Sequence, residues 1–181
     1  LQIIETSLAR MEGLSATLRI LTCAFEVEPV DLAAGLEETA AMLRQGEGPA
    51  PSIRVRVASP PLVAAHGALL KEVWSALLTN AVQAAGPEGM VMVEAQEEGG
   101  EARGVVTVTD DGPGIPPDIL DRIFEPFFTT RPADGGTGLG LPLARRIVAK
   151  MGGTLTVASH PGRTCFTVSL PAVQAARAAG E

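Results

Sequence analysis

The sequence has little of what marks several large protein classes. Its only two cysteines, Cys23 and Cys165, lie outside any CxxC or Cys/His cluster. The sequence therefore predicts two inert thiols, and neither a disulfide nor a thiolate metal site. Lysine and arginine never occur in runs longer than two, and the net charge is −7, which argues against nucleic-acid or anionic-membrane binding through a basic surface. No apolar run approaches the roughly 18 residues of a membrane span, and no signal-peptide pattern is present. These absences favour a cytoplasmic protein whose partner is a small ligand or another protein.

The chain is long enough for one good-sized core and an appendage, since 46% of its 181 residues are hydrophobic. It starts at Leu1 without an initiating methionine, so we expect a piece of a longer protein. Residues 1–25 carry apolar side chains at seven-residue spacing, which predicts a helix that needs a partner helix. We interpret it as one arm of a bundle; a helix packed on its own domain is the alternative.

The remaining pattern predicts a two-layer α/β sandwich, with a mixed, mostly antiparallel sheet and three longer helices on one face. Asp31 is a candidate N-cap for a helix that ends near Gln45, and further helices are predicted over 67–85 and 139–151. The predicted strands are 53–58, 90–97, 104–110, 154–159 and 164–170.

Two stretches of the chain lack a strong pattern. Residues 111–138 are irregular, with one short helix expected near 117–123, and a segment of this length is usually functional or mobile. Residues 172–181 are predicted to form a frayed helical tail.

Three separated stretches carry candidate chemistry. The first, LLTNAVQA, places Asn80 late in the long helix. Its amide oxygen can ligate Mg²⁺, although an asparagine in a helix can equally face solvent or make a structural hydrogen bond. The second, VVTVTDDGPGIP, runs a strand into Asp110, Gly112 and Gly114. It can be an ordinary turn, or a carboxylate that accepts a hydrogen bond from adenine beside glycines that admit a flat ring.

The third stretch, GGTGLGLPLARRIV, places Gly135, Gly136, Gly138 and Gly140 around the start of a helix led by Leu139. Free main-chain N–H groups and the positive end of the helix dipole make such a place suitable for phosphate. It follows a loop and contains no Gly-Lys-Ser/Thr, so it is neither the dinucleotide fingerprint nor a P-loop.

With IFEPFFTTR between the second and third stretches, the combination resembles the ATP-binding half of bacterial sensor histidine kinases. These belong to the ATPase superfamily with the Bergerat fold, which includes gyrase and MutL. LLTNA resembles the N box, DDGPGIP the G1 box, IFEPFFTT the F box and GGTGLGL the G2 box, while GGTLTVASHPGRTCFTVSLP resembles the closing G3 region. The resemblance implies a catalytic ATP-binding domain over 26–171, with 1–25 as the C-terminal helix of the dimerisation and phosphoacceptor domain and 172–181 as a tail.

The resemblance implies ATP and Mg²⁺ as ligands. Asn80 would bind the Mg²⁺ that bridges the phosphates, and Asp110 would accept a hydrogen bond from the adenine amino group. Phe124, Phe127 and Phe128 would anchor a mobile lid over the nucleotide. The implied ATP-binding residues are Asn80, Ala84, Asp110, Gly112, Gly114, Ile115, Ile123, Thr130, Arg131, Gly136, Thr137, Gly138, Leu139, Gly140, Leu141 and Thr164, the last at the pocket floor.

The sequence departs from the family pattern at three positions. Ala76 stands where many kinases carry a second asparagine and gyrase-like ATPases a catalytic glutamate, which argues against rapid hydrolysis. Gln83 replaces a common lysine, so that Arg131 would have to compensate at the phosphates. His66 stands where an aspartate is frequent.

No catalytic nucleophile is assigned within the chain. Its only histidines are His66 and His160, neither in a helical His-Glu/Asp context, so the phosphoacceptor histidine is expected upstream. The resemblance implies a response regulator receiver domain and the phosphoacceptor domain of the same or a sister chain as partners, and a homodimeric full-length protein. A non-catalytic nucleotide-binding regulator, an anti-sigma-type protein kinase and a gyrase- or MutL-type clamp are the alternatives.

Overall fold

The computed structural model of the chain describes residues 26–45, 50–59, 61–98, 102–131 and 136–173. The predicted helix at 1–25 and residues 174–181 of the predicted tail lie outside these ranges. In chain order the elements are β1 (Glu28–Asp31), α1 (Leu36–Arg44), β2 (Ser52–Ala58), β3 (Leu62–Ala65), α2 (Gly67–Ala85), β4 (Met90–Glu98), β5 (Arg103–Asp110), a single 3₁₀ turn (Arg122–Phe124), α3 (Gly140–Lys150), β6 (Thr154–His160) and β7 (Arg163–Pro171).

A five-stranded sheet in the order β2-β4-β5-β7-β6 forms one layer. β2 runs parallel to β4, and the other neighbouring pairs are antiparallel, so the predicted mixed, mostly antiparallel sheet is confirmed. The unpredicted β3 pairs with β1 in a second, two-stranded sheet. Its four residues are too few to show an alternating pattern.

The core lies between one face of the large sheet and the three helices. In β7, Phe166, Val168 and Leu170 are fully buried, whereas the residues between them are only half-buried. Leu70, Trp74 and Leu77 of α2 are also completely buried, as expected from helical spacing. Burial of each such side chain contributes roughly 1.5–3 kcal/mol, so this layer fixes the position of α2 over the sheet.

The structure corrects the predicted start of α1. Asp31 ends β1, and its Oδ1 accepts a hydrogen bond from the N–H of Ala33 at 2.8 Å, within a turn. The helix begins only at Leu36, after Gly35 with a φ of 82°. An aspartate that closes a turn and one that caps a helix make the same local hydrogen bond, which explains the error.

Two further segments differ from the prediction. Residues 117–121 form turns, with N–H groups of Ile119 and Leu120 donating three residues back to the carbonyls of Pro116 and Pro117, and only the single 3₁₀ turn follows. At the other end of the domain, Ala172 and Val173 are not helical, because their N–H groups bond to the carbonyls of Ala102 and Leu62, both at 2.7 Å.

Candidate functional site

A cavity of about 730 Å³ opens between α2, the N-terminus of α3 and the loop that follows β5. This volume is typical of sites that enclose a small-molecule ligand. One side is a stripe of α2 with four-residue spacing, formed by Glu72, Ala76, Asn80 and Ala84. The stripe therefore forms one continuous wall of the cavity from Glu72 to Ala84.

Asp110 and Thr164 form the end of the cavity next to the sheet. They are cross-strand partners in β5 and β7, and their exposed fractions are 1% and 3%. Asp110 Oδ1 accepts a hydrogen bond from the N–H of Gly112 at 3.0 Å. The other oxygen, Oδ2, is buried and has no hydrogen-bond partner among the described residues. An unpartnered acceptor at a cavity wall is costly unless a ligand supplies the missing donor.

The electrostatic environment of Asp110 reflects this burial. Desolvation raises the pKa of Asp110 above its ordinary value. The hydrogen bond from Gly112 opposes this rise, neighbouring Asp111 adds to it, and the positive charge of Arg131 lowers the pKa. A donor or cation brought by a ligand would act in the same direction as Arg131 and favour the ionised carboxylate.

The glycines after β5 are needed by the protein's own packing. A Cβ on Gly112 would lie 2.6 Å from the Ala84 carbonyl oxygen, and one on Gly114 would meet the carbonyl of His160. Gly114 also has a φ of +84°, in the left-handed region. Room for a flat ring, the predicted reason for both glycines, stays a prediction; in addition, the structure shows that the protein's own backbone comes close to both, from α2 and from the β6–β7 turn.

The opposite part of the cavity lies at the start of α3. The helix begins at Gly140 after Leu139, no side chain of the described residues caps it with a hydrogen bond, and its first turn contains no acidic residue. Pro142 has no N–H, so the free donors of this first turn are main-chain groups such as those of Gly140 and Leu141. Because both residues line the cavity, the positive end of the α3 dipole faces it.

Gly138 joins this helix start to the segment that contains the phenylalanines. Its φ is +66°, and a Cβ there would lie 2.6 Å from Phe127 C and Phe128 O. The N–H of Phe127 donates to the carbonyl of Gly138 at 2.9 Å. The glycine loop and the segment from Phe124 to Arg131, which we call the lid segment, therefore hold each other in place.

Two of the three predicted lid anchors pack inward and one does not. Phe124 and Phe128 lie against the core and are covered by the guanidinium groups of Arg145 and Arg122, at 4.7 and 4.4 Å from the ring centroids. Phe127 is 51% exposed and has a φ of 67°, which is unusual for a residue other than glycine. Its backbone, and not its ring, contributes to the lid segment's attachment.

Charge is sparse in the cavity. Among the described lining residues only Glu72, Asp110 and Arg131 are charged, so Arg131 is the single cation there. Gln83 also lines the cavity, at the position where the resemblance leads one to expect a lysine. In the part of the chain that is described, no cluster of His, Cys, Asp or Glu could hold a metal by itself. A metal at Asn80 would therefore take most of its ligands from the oxygens of a bound phosphate compound.

Most of the predicted ATP-binding residues come together around this cavity. Gly112 and Leu139 do not line it, and Gly135 lies outside the described residues. Two residues near the cavity were not predicted from the sequence. Glu72 lines it, and its eight-residue spacing from Asn80 on the same helix could have revealed it. Ser159 comes close to Thr164 only through strand register. The predicted residues that line the cavity are Asn80, Ala84, Asp110, Gly114, Ile115, Ile123, Thr130, Arg131, Gly136, Thr137, Gly138, Gly140, Leu141 and Thr164.

A known family matches more than half of the chain. The model of the family described as histidine kinase-, DNA gyrase B-, and HSP90-like ATPase matches residues 65–174, which contain every predicted ATP-binding residue. No helix in the described ranges is both long and apolar enough to cross a membrane.

Curated relatives of the chain include sensor histidine kinases and a two-component sensor. The sensor histidine kinase ZraS of Salmonella typhimurium is 46% identical over 105 residues, which cover 58% of this chain and 22% of ZraS. The sensory histidine kinase/phosphatase NtrB of Rhodobacter capsulatus is 42% identical, over 56% of this chain and 31% of NtrB. The two-component sensor PprA of Pseudomonas aeruginosa is 34% identical over 99% of this chain and 20% of its own length. The chain thus spans between about a fifth and a third of these relatives.

Solved structures have the same fold. The mycobacterial sensor histidine kinase MprB superposes with a TM-score of 0.70 at 30% identity, over 81% of this chain and 97% of that one. Full-length ShkA in complex with AMPPNP superposes with a TM-score of 0.79 at 29% identity, over 93% of this chain and 36% of that one.

Proposed function

The chain belongs to the family of histidine kinase-, DNA gyrase B- and HSP90-like ATPases, and we propose that it delivers the γ-phosphoryl group of Mg²⁺-ATP to a histidine outside this chain. The phosphohistidine would then pass the group to an aspartate in the receiver domain of a response regulator. One observation carries the proposal: the buried, unpartnered Oδ2 of Asp110 lies at one end of a cavity whose other end is the uncapped start of α3.

At the base end, the chain's own groups recognise adenine. The Asp110 carboxylate accepts a hydrogen bond from the exocyclic amino group, which removes the cost of its unpartnered oxygen. Thr164, in register beside it, supplies the second polar group of the cavity floor. Ala84 and Ile115 provide the apolar walls against which the purine ring packs.

At the phosphate end, the chain acts by positioning the phosphates and not through a reacting side chain. The main-chain N–H groups at the start of α3 and the guanidinium of Arg131 bind and orient the phosphates. Asn80 would hold Mg²⁺, which neutralises phosphate charge when it is bound. In the transfer, the imidazole nitrogen forms a bond to the γ-phosphorus while the bond to the ADP oxygen breaks. Ala76 offers no base to activate water, so hydrolysis is expected to be slow.

The remaining parts of the proposal concern the whole protein. Residues 26–171 form the catalytic domain, and residues 1–25 contribute the C-terminal helix of a dimerising phosphoacceptor domain. The partners are that domain, from the same or a sister chain, and a response regulator receiver domain. The protein works as a homodimer on the cytoplasmic side. Neither His66 nor His160 lines the cavity, which supports an acceptor outside the chain.

The full-length protein provides the direct test, with ATP labelled in its γ-phosphate. We expect a label on the protein that acid removes and alkali does not, as for phosphohistidine. Asp110→Asn should abolish labelling and lower ATP affinity at least about a hundredfold. The NH₂ group of the asparagine would then oppose the amino group of adenine, where the wild type has a carboxylate that accepts a hydrogen bond. Asp118→Asn, which changes an exposed carboxylate that does not line the cavity, is the matched control. An acid-stable label, or normal labelling of Asp110→Asn, would contradict the proposal.

The metal assignment has its own test. Asn80→Ala should weaken ATP binding about tenfold when Mg²⁺ is present and have little effect when the metal is chelated, since only the metal contact is lost. Binding can be measured by calorimetry in both conditions. An equal loss with and without Mg²⁺ would mean that Asn80 contacts the nucleotide directly or supports the helix.

A further inference from the structure

Three polar side chains form a row across three strands at the end of the sheet that borders the cavity. Asp110 of β5 is the register partner of Thr164 in β7, and Thr164 is the register partner of Ser159 in β6. Directly opposed residues point to the same side of a sheet, with Cβ atoms about 4.5–5.5 Å apart. Asp110 and Thr164 line the cavity, whereas Ser159 lies behind Thr164.

The two outer members of this row hold the loop after β5. Asp110 Oδ1 accepts a hydrogen bond from the N–H of Gly112 at 3.0 Å, and Ser159 Oγ accepts one from the N–H of Ile115 at 2.8 Å. The loop is thus fixed at both ends, and its middle residue Gly114 lines the cavity. One oxygen of Asp110 and one lone pair of Ser159 are used in this way.

The remaining contacts allow two arrangements of the hydroxyl hydrogens of Ser159 and Thr164. Ser159 Oγ lies 2.9 Å from Thr164 Oγ1 and 3.4 Å from the carbonyl oxygen of Arg163. Either hydroxyl can be the donor of the 2.9 Å contact: Ser159 donates to Thr164, or Thr164 donates to Ser159 while Ser159 donates to the Arg163 carbonyl. In the first arrangement Thr164 Oγ1 acts as an acceptor toward Ser159. The hydrogen of the Thr164 hydroxyl then has no acceptor among the described residues and can point into the cavity.

We propose that Ser159 is a positioning residue that makes Thr164 a hydrogen-bond donor toward the base and thereby sets which purine the cavity accepts. The cavity then presents an acceptor, Asp110 Oδ2, beside a donor, Thr164 Oγ1. Adenine offers the complementary pair, an amino donor at C6 beside an acceptor at N1. Hypoxanthine and guanine offer the reverse, a carbonyl at C6 and a donor at N1. The inference rests on the proposed binding of ATP at this site.

The test compares ATP with ITP, which has a carbonyl at C6 and no amino group at C2. Removal of the Ser159 hydroxyl in Ser159→Ala frees the Thr164 hydroxyl to rotate and accept a hydrogen bond. We expect ATP affinity to fall about fivefold and ITP affinity to stay the same or rise, so that the ATP-to-ITP affinity ratio narrows. Ser159→Thr keeps a hydroxyl at this position and should restore the ratio. Thr156→Ala, which removes an exposed hydroxyl from the same strand, is the control.

Purine riboside triphosphate separates the contribution of Thr164 from that of Asp110. It keeps the N1 acceptor of adenine but lacks the amino group, so its affinity should fall with Ser159→Ala by about the same factor as that of ATP. Calorimetry with Mg²⁺ gives all three affinities for each purified variant. If Ser159→Ala does not fold, Ser159→Cys can replace it, since the thiol has a similar shape but is a weaker donor than the hydroxyl. It should narrow the ATP-to-ITP affinity ratio in the same way.

Several results would overturn the inference. An equal loss of affinity for ATP and ITP would show that Ser159 only fixes the loop, and unchanged affinities would show that it has no role. Both results would leave the proposed function intact, since ATP still binds. A wild-type chain that binds none of the nucleotides would overturn the proposed function together with the inference.

Discussion

The two ends of the cavity are built in different ways. At the base end, Asp110, Thr164 and Ser159 take their positions from strand register, and the hydrogen bonds between strands fix all three at once. At the phosphate end, the lid segment and the glycine loop are tied by the close contact of Gly138 with Phe127 and Phe128 and by the hydrogen bond from Phe127 N–H to the Gly138 carbonyl. The comparison teaches that, under the proposed function, the base-binding groups are preformed, while the phosphate-binding groups depend on two loops that position each other.

The two ends also differ in charge. The base end holds a buried carboxylate with an unpartnered oxygen, and the phosphate end has Arg131 as its one described cation. A nucleotide satisfies both ends, since it brings an amino donor to the first and negative charge to the second. Each end can therefore be altered separately, and the size of the effect should follow from how it is built.

Among changes at the phosphate end, Gly138→Ala should give the largest effect, because it breaks the contact between the two loops. The added Cβ would lie 2.6 Å from Phe127 C and Phe128 O, in a left-handed backbone that alanine disfavours. We expect a loss of about 2–4 kcal/mol in the free energy of unfolding and at least a tenfold loss of ATP affinity. Urea denaturation and calorimetry measure the two quantities.

Gly162→Ala is the matched control for this change. Gly162 has a φ of +84°, but a Cβ there meets nothing within 4 Å. Gly162→Ala should lower the free energy of unfolding by only about 1–2 kcal/mol, because alanine disfavours a left-handed backbone. It should leave ATP affinity unchanged. Equal effects of the two variants would show that backbone strain alone, and not the contact with the lid segment, makes Gly138 necessary.

Gln83→Lys should give an intermediate effect in the opposite direction. Gln83 lines the cavity one turn from Asn80, where a lysine would add a second cation near the phosphates. Because this position is exposed, we expect ATP affinity to rise only about fivefold, and the gain to shrink as salt is added. Gln96→Lys adds the same charge on β4 outside the cavity and should not change affinity. A gain of equal size in both variants would indicate a general effect of net charge.

Local patterns were sufficient to predict most of the fold. The helical spacing around Leu70 and Leu77 identified α2, and the alternation of apolar and charged residues over 53–58 identified β2, because both patterns depend only on near neighbours in sequence. The start of α1 was wrong because the hydrogen bond of Asp31 is the same in a turn and a cap. The four residues of β3 carry too little pattern to be found.

The candidate site was predictable to the extent that its residues lie in contiguous motifs. Asn80 and Asp110 stand out within such motifs, and both line the cavity. Ser159 does not stand out in the sequence, because its contact with Thr164 follows from strand register, which the sequence alone does not determine. The reason for Gly138 was also missed, because the atoms that occupy its Cβ space belong to a segment ten residues earlier in the chain.

The smallest expected effect concerns stability at the base end. Burial raises the pKa of Asp110 above its ordinary value of 3.8, so ionisation is harder in the folded than in the unfolded state. Below that ordinary value the carboxyl is protonated in both states and there is no penalty; stability is then lost as the pH rises through the raised pKa. Asp110→Asn removes this titration, so its melting temperature should exceed that of the wild type at neutral pH, and the difference should shrink toward about pH 4.

Melting curves of the two proteins between about pH 4 and pH 8, without nucleotide, measure this difference, with Asp118→Asn as the control. Saturating Mg²⁺-ATP should reverse the order at neutral pH, because mass action stabilises only the protein that binds. An Asp110→Asn variant that is less stable than the wild type at every pH would show that the carboxylate supports the loop through Gly112 more than its burial costs. The expected reversal would instead show that the chain keeps a destabilising carboxylate at the base end because the nucleotide requires it.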